Sequence, residues 1–144
     1  MYGEILLATD GSAHAEEAAH HAIGLAQLAN ARVHAVYVIE TRTAYDNAIV
    51  DPETVRNNLR TDGENALEYV VTKAEDSNVD VDTAILEGIP AEEILSYTAE
   101  NNIDVIVVGA RGRSAFKRAL LGSTTEQLLA EATVPLFVIG EEVP

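Results

Sequence analysis

The sequence contains no cysteine and no tryptophan, and only two of its 144 residues, Lys73 and Lys117, are lysine. The absence of cysteine excludes a disulfide framework and thiolate zinc sites. No apolar run approaches the roughly 18 residues that a membrane-spanning helix needs, so we predict no membrane insertion. Met1 to Glu4 carries no basic leader, so we expect no signal peptide and a cytoplasmic location. The length fits one domain, residues 1–144, with a core of its own.

Positive charge is also scarce. Nine Lys and Arg residues stand against 24 Asp and Glu residues, which gives a formal net charge of −15. Such a surface repels itself in dilute buffer and becomes tolerable when salt screens it. We interpret the composition as adaptation to a salt-rich cytoplasm, and the alternative is an ordinary acidic protein. A phosphate backbone needs a basic face, so we do not expect nucleic acid as a partner.

Short apolar runs alternate with helical stretches along the chain, which is typical of a parallel sheet covered on both faces. We therefore predict a three-layer, Rossmann-like α/β domain with a five-stranded parallel sheet in the order 3-2-1-4-5. We predict one long helix from Pro52 to about Asp76, interrupted at Asp62-Gly63, and the alternative is a turn at Asp62-Gly63 that splits it in two. The predicted strands are Glu4–Thr9, Arg32–Ile39, Val79–Leu86, Ile103–Val108 and Val134–Ile139, and the other helices are Ser12–Asn30, one opening at Pro90, and Ser123–Ala132.

Ligands of such sheets bind beyond the carboxyl ends of the strands, where the strand order reverses. Strands one and four are the central neighbours in the predicted order. Their ends present Asp10-Gly11-Ser12 and Gly109-Ala110-Arg111-Gly112, and strand two ends beside them at Val38. We therefore expect the binding site at these three chain segments.

The segment after the fourth strand is positively charged, in contrast to the acidic chain as a whole. Residues 105–125 contain no carboxylate, but they contain four of the nine cations, Arg111, Arg113, Lys117 and Arg118. Gly109 and Gly112 would let backbone N–H groups approach an anion, and Gly122-Ser123-Thr124 begins a helix whose dipole favours negative charge. The segment predicts a polyphosphate site. The alternative is that Ser123 to Glu126 form only a capping box for that helix.

The spacing Gly109-x2-Gly112-x9-Gly122-Ser123 resembles the nucleotide-binding motif of the universal stress protein family. Asp10-Gly11-Ser12, Gly88-x-Pro90-Ala91 and Val134-Pro135 match the family as well, so the resemblance covers the whole chain. It implies an adenine nucleotide alpha hydrolase-like domain that binds ATP, often dimerises and acts in stress responses. Three departures, Ala8, Arg111 and Ala115, replace residues common in the family without removing a motif glycine.

Carried over by position, the resemblance assigns a cofactor site to ten residues. Asp10 would accept hydrogen bonds from the ribose hydroxyls, with Thr9 beside it, although Asp10 could instead be the N-terminal cap of the first helix. Val38 and Val108 would flank adenine. The phosphates would lie on Gly109, Arg111, Gly112, Gly122, Ser123 and Thr124. The expected cofactor is ATP, alone or with Mg²⁺.

Other polar residues give weaker signals. His14, Glu17 and His21 share one side of a helix, but the histidines are seven residues apart and no further ligand is evident, so we predict no metal site. Tyr45 and Asp46 follow the second strand, where they would either close over a nucleotide or belong to a mobile loop.

Three functions remain open from the sequence. The first is a nucleotide-binding regulatory module, and the second is a slow ATPase or phosphotransferase that uses the same pocket, with Asp10 as its only nearby acid. The third is a dimeric interaction protein with an empty pocket. Because Pro135 cannot donate to a ladder, Val134–Ile139 is predicted to be an edge strand that pairs with its own copy in a homodimer.

Overall fold

Strands and helices alternate along the chain in the computed structural model, which describes residues 1–40, 51–111 and 121–140. The prediction for Tyr45 and Asp46 lies outside the described residues. The elements are β1 (Glu4–Ala8), α1 (Ala13–Ala29), β2 (Arg32–Glu40), α2 (Pro52–Asp76), β3 (Val81–Gly88), α3 (Pro90–Glu100), β4 (Val105–Gly109), α4 (Ser123–Glu131) and β5 (Leu136–Ile139).

All strand pairs of the sheet are parallel, and their order is β3-β2-β1-β4-β5, which confirms the predicted topology. β4 is buried along its whole length and β1 at four of its five residues, because helices cover the sheet on both faces. The core on one face packs under α1 and α2, and the core on the other packs under α3 and α4. β1 and β4 therefore lie side by side in the interior of the sheet.

The long helix α2 runs from Pro52 to Asp76 without a break, so the prediction of a single helix is confirmed, whereas the expected interruption at Asp62-Gly63 is wrong. Gly63 is buried, and a Cβ built on it would lie 2.7 Å from Cδ1 of the Tyr37 ring. The glycine is needed for this close approach, since it lets α2 lie directly on an aromatic side chain of β2. The residue that reads as a helix breaker in the sequence is therefore a packing residue.

The predicted edge position of the last strand is confirmed, since β5 is last in the strand order and, among the residues that the structure describes, pairs with β4 alone. The strand begins at Leu136 rather than at Val134. Pro135 lies just before it, and its carbonyl accepts a hydrogen bond from the Ile106 N–H at 2.9 Å. No helix of the described residues is long and apolar enough to span a membrane.

Polar side chains inside the core are paired. His34 is 7 % exposed, and its two ring nitrogens lie 2.7 Å from Oε2 of Glu4 and 2.8 Å from the hydroxyl of Tyr97. Burial, then the charges of Asp82 and Glu4, raise the pKa of the Tyr97 phenol. The phenol therefore stays protonated at neutral pH, and this hydrogen-bonded chain ties α3 to the amino-terminal edge of the sheet.

Candidate functional site

The carboxyl end of β1 lies between two neighbouring strands that extend further at this edge of the sheet. Ala8, its last residue, pairs with Val36, whereas β2 continues to Glu40. On the other side, β4 ends at Gly109, which pairs with Ile139 of β5. The segment after β1 is therefore flanked by the ends of β2 and β4, as the strand order predicts.

The turn after β1 is fixed by successive hydrogen bonds from main-chain N–H groups to side chains. Thr9 Oγ1 accepts from Gly11 at 3.2 Å, Asp10 Oδ1 accepts from Ser12 at 2.9 Å, and Ser12 Oγ accepts from Ala15 at 3.2 Å. Gly11 has φ 79°, which favours glycine. Ser12, not Asp10, is thus the N-cap of α1, so the capping alternative for Asp10 is wrong. The half-buried Asp10 instead closes an Asx turn.

Gly109 brings the end of β4 into contact with α1. A Cβ on Gly109 would lie 3.1 Å from the main-chain carbon and oxygen of His14. A side chain at this position would push α1 away from the strand. The close approach that requires glycine here is therefore between two parts of the chain, whereas the sequence had suggested approach to a phosphate.

Gly122 is the N-cap of α4, and its N–H donates to the Ala110 carbonyl at 2.8 Å. Its φ of −72° and ψ of 158° are open to other residues, so no backbone strain requires glycine. No side chain caps this helix, and Ser123 lies within it, so the capping-box alternative is wrong. Ser123 is exposed and Thr124 is half-buried.

The first turn of α4 presents main-chain N–H groups at the same edge. The first hydrogen bond inside the helix runs from the Glu126 N–H to the Gly122 carbonyl, so the amides of residues 123–125 precede the helical ladder. Such amides and the helix dipole favour an anion. Arg111, half-buried, follows Ala110 at the end of β4. The predictions for Gly112, Arg113, Ala115, Lys117 and Arg118 lie outside the described residues.

Val38 and Val108 lie on the two strands that flank β1, and both pack into the core under α3 and α4. Val108 is 7 % exposed, whereas Val38 is half-buried. The structure thus brings the two predicted adenine neighbours to one face of the sheet. Val38 is the more exposed of the two.

A cavity of about 340 Å³ opens beside the Asp10 turn, between α1 and α2. It adds two carboxylates to the edge, so the expectation that Asp10 is the only nearby acid is wrong. Four of the lining residues come from α2, at positions 62, 65, 66 and 69, and this helical spacing could have indicated from the sequence that they share one face of the helix. The lining residues are Thr9, Asp10, Gly11, Glu16, Asp62, Asn65, Ala66 and Tyr69.

Tyr69 is the aromatic residue that lines this cavity. Its hydroxyl lies 3.1 Å from Nε2 of His20. Burial, then the charges of Glu16 and Glu17, raise the pKa of the Tyr69 phenol, which keeps it protonated at neutral pH. The residues that line the cavity therefore include three carboxylates and a neutral phenol.

The histidines of α1 form no metal set with their neighbours. His21 Nε2 lies 3.5 Å from Oε1 of Glu17, one turn away, and the two side chains are 54 % and 41 % exposed. Within residues 1–40, 51–111 and 121–140, no three His, Cys, Asp or Glu side chains are placed to hold a metal ion. The Glu17–His21 contact is that of a surface pair.

Comparison with known proteins agrees with this fold. The family model for universal stress proteins matches residues 1–140. The chain belongs to the universal stress protein family. It is 36 % identical over 140 residues to universal stress protein MJ0531 of Methanocaldococcus jannaschii, an alignment that covers 96 % of this chain and 82 % of the relative.

Two solved structures of the same fold are informative. Hypothetical protein MJ0577, described in a structure-based assignment of biochemical function, superposes with a TM-score of 0.88 at 30 % identity, covering 100 % of this chain and 99 % of that one. A universal stress protein family member from Arabidopsis thaliana, solved with AMP bound, superposes with a TM-score of 0.73 at 18 % identity, covering 98 % and 93 %. At that identity the second likeness shows the fold alone.

Proposed function

We propose that this universal stress protein binds an adenine nucleotide, ATP, at the carboxyl edge of β1 and β4. The observation that carries the proposal is the meeting of two unlike chemical groups at one edge. The carboxylate of Asp10 follows β1, and the first-turn amides of α4 with Arg111 follow β4. In a nucleotide, the ribose hydroxyls would donate to the carboxylate, and the phosphates would accept from the amides and from Arg111. The Arabidopsis protein with AMP bound shows that this fold can accommodate a ligand of the same class.

The charges along this edge of the sheet determine which way the bound nucleotide is oriented. The cavity beside Asp10 carries the carboxylates of Glu16 and Asp62, which would repel phosphates. The phosphates therefore lie toward Arg111, Gly122, Ser123 and Thr124, with the ribose at Asp10. Adenine then lies against Val38, beside the end of β2.

ATP in this site serves a cytoplasmic regulatory module of the stress response. The names of the relatives reported above assign no enzymatic activity. A slow ATPase or phosphotransferase is the second candidate, because the carboxylate of Asp10 lies at the same edge as the proposed phosphate site and would contact Mg²⁺ bound with ATP. Released phosphate measured with ATP and Mg²⁺ separates the two, since multiple turnovers that Asp10→Ala abolishes would replace the regulatory role with an enzymatic one.

The site predicts a phosphate-specific effect of Arg111. In calorimetric titrations, Arg111→Ala should weaken ATP binding about tenfold while adenosine binding stays within about twofold, because the guanidinium attracts only the phosphates. Arg60→Ala is the matched control, since it removes the same charge from the surface of α2, where Arg60 lies 3.9 Å from Glu64. Equal losses for ATP and adenosine would place Arg111 elsewhere.

A larger side chain at Gly122 tests the same part of the site. Gly122→Val keeps an allowed backbone angle, so the domain should fold, and the added side chain should fill space next to the phosphates and abolish ATP binding. A variant that binds ATP with unchanged affinity would remove Gly122 from the site. Gly112→Val is expected to abolish binding as well.

We also propose that the chain forms a homodimer through β5. Phe137, on this open edge, is 41 % exposed, and the strand lacks lysine or proline along Leu136–Ile139. The carbonyls of Pro135 and Ile139 point to β4, where they accept from Ile106 and Ala110, so strand alternation turns the Val138 N–H to the outer edge. Pairing of two such edges would close the assembly about a two-fold axis.

The dimer predicts twice the mass of one chain by light scattering in molar KCl. Val138→Pro removes an outward N–H and spares the β4 ladder, so it should give a folded monomer. The dimer proposal fails if the unaltered protein is monodisperse with the mass of one chain at micromolar concentration. A dimer that binds no nucleotide at millimolar ATP would instead favour an interaction protein with an empty pocket.

A further inference from the structure

A buried hydroxyl joins the two chain segments that frame the proposed phosphate site. Thr125 lies in the first turn of α4 and is 3 % exposed. Its Oγ1 donates to the carbonyl oxygen of Gly109, at the end of β4, at 2.9 Å. The Gly122 N–H donates to the Ala110 carbonyl at 2.8 Å and forms a second bond between the same segments. Together the two bonds fix the start of α4 relative to the end of β4.

The burial of Thr125 separates its role from those of its neighbours. Ser123 is exposed and Thr124 is half-buried, whereas Thr125 points into the protein. An apolar side chain of the same volume would fill this position but would leave the buried Gly109 carbonyl without this donor. Thr125 therefore acts on the site through the helix that carries it.

We propose that Thr125 is a positioning residue for nucleotide phosphates, which holds the first-turn amides of α4 in place at the end of β4. This role rests on the proposed function, because the ligand of those amides is the polyphosphate of ATP. Oriented donors that need no rearrangement on binding lower the cost of binding an anion. Loss of the hydroxyl should therefore act on the phosphates and leave the nucleoside contacts intact.

Thr125→Val, which is nearly isosteric, tests the role in calorimetric titrations with ATP and with adenosine. ATP affinity should fall about tenfold, with adenosine affinity unchanged within about twofold. Thr98→Val is the matched control, because Thr98 is 6 % exposed and its Oγ1 donates at 2.8 Å to the Ile94 carbonyl inside α3. Both variants lose one buried hydrogen bond, but only Thr125→Val should change the ratio of the two affinities. Thr125→Ser, which keeps the hydroxyl, should have the same ratio of ATP affinity to adenosine affinity as the unaltered protein.

The outcomes separate this role from the proposed function. If the unaltered protein binds neither probe, the proposed function and this role both fail. If it binds ATP and Thr125→Val binds ATP equally well, or if Thr98→Val shifts the ratio as much, only the positioning role is overturned. Should Thr125→Val not fold, Thr125→Ala replaces it at a lower temperature, because alanine cannot overpack the site, and the same tenfold criterion applies.

Discussion

Replacing Gly63 by alanine is expected to lower the free energy of unfolding by about 1–3 kcal/mol, although alanine is the better helix former. The new Cβ would lie 2.7 Å from Cδ1, 3.0 Å from Cε1 and 3.2 Å from Cγ of Tyr37. Tyr37 is 5 % exposed and belongs to the core under α1 and α2, so its ring cannot move without disturbing its neighbours. Denaturant unfolding in molar KCl measures the change.

Gly24 offers a matched control in α1. A Cβ on Gly24 would meet no atom within 4 Å, so Gly24→Ala should raise the free energy of unfolding by about 0.5–1 kcal/mol. The two substitutions are chemically identical and both lie in helices, but their effects should differ in sign. In a Tyr37→Leu background, Gly63→Ala should cost less, since the ring that it meets is gone. Stabilisation by Gly63→Ala would contradict the packing account.

The sequence predicted the alternation of elements and the strand order, but it placed the start of β3 and of β4 two residues early. The reason is the same at both positions. Val79 and Ile103 are buried and apolar, yet their N–H groups donate back to the carbonyls of Ala74 and Thr98. They therefore close the preceding helix rather than open a strand. Hydrophobicity alone does not distinguish an apolar residue buried at the end of a helix from one buried at the start of a strand.

A sequence signal for these helix ends exists. Each of the three helices α1, α2 and α3 is followed by an asparagine with positive φ, at 55° for Asn30, 55° for Asn78 and 51° for Asn102. An apolar residue comes next, and its N–H bonds to the helix, as in the left-handed terminators that favour glycine or asparagine. Applied at Asn78 and Asn102, this signal would have moved the predicted starts of β3 and β4.

The site was predictable only in part. The position of Asp10 after β1 and the glycine spacing follow from local sequence and from the family resemblance. The contact of Gly109 with His14 joins residues 95 positions apart in the sequence, and no local pattern indicates it. The same holds for the cavity beside Asp10, whose walls come from α1 and α2. Residue types at the edge were therefore predictable, whereas the partners that hold them were not.

The melting temperature is expected to rise by roughly 10 °C or more between dilute buffer and 1 M KCl. Only nine cations oppose 24 carboxylates, and the Debye length falls from about 30 Å at 0.01 M to about 3 Å at 1 M salt. Screening therefore relieves more repulsion than attraction. Calorimetric scans across this range measure the effect, and most of the rise should occur below about 0.5 M, where the Debye length changes most. A flat melting temperature would favour the ordinary acidic protein over adaptation to salt.

Helix α3 allows a residue-level test of the same electrostatics. Glu100 ends the helix, where the dipole disfavours a carboxylate, and Glu92 lies in its first turn, where the dipole favours one. Both side chains are exposed. In dilute buffer Glu100→Gln should stabilise the protein by about 0.3–1 kcal/mol, because it relieves both general repulsion and the dipole, whereas Glu92→Gln should gain less or lose stability. In 1 M KCl the difference between the two variants should shrink. Equal changes in stability for Glu100→Gln and Glu92→Gln would mean that general repulsion outweighs the helix dipole. If the difference between the two variants does not shrink in salt, electrostatics is excluded as its cause.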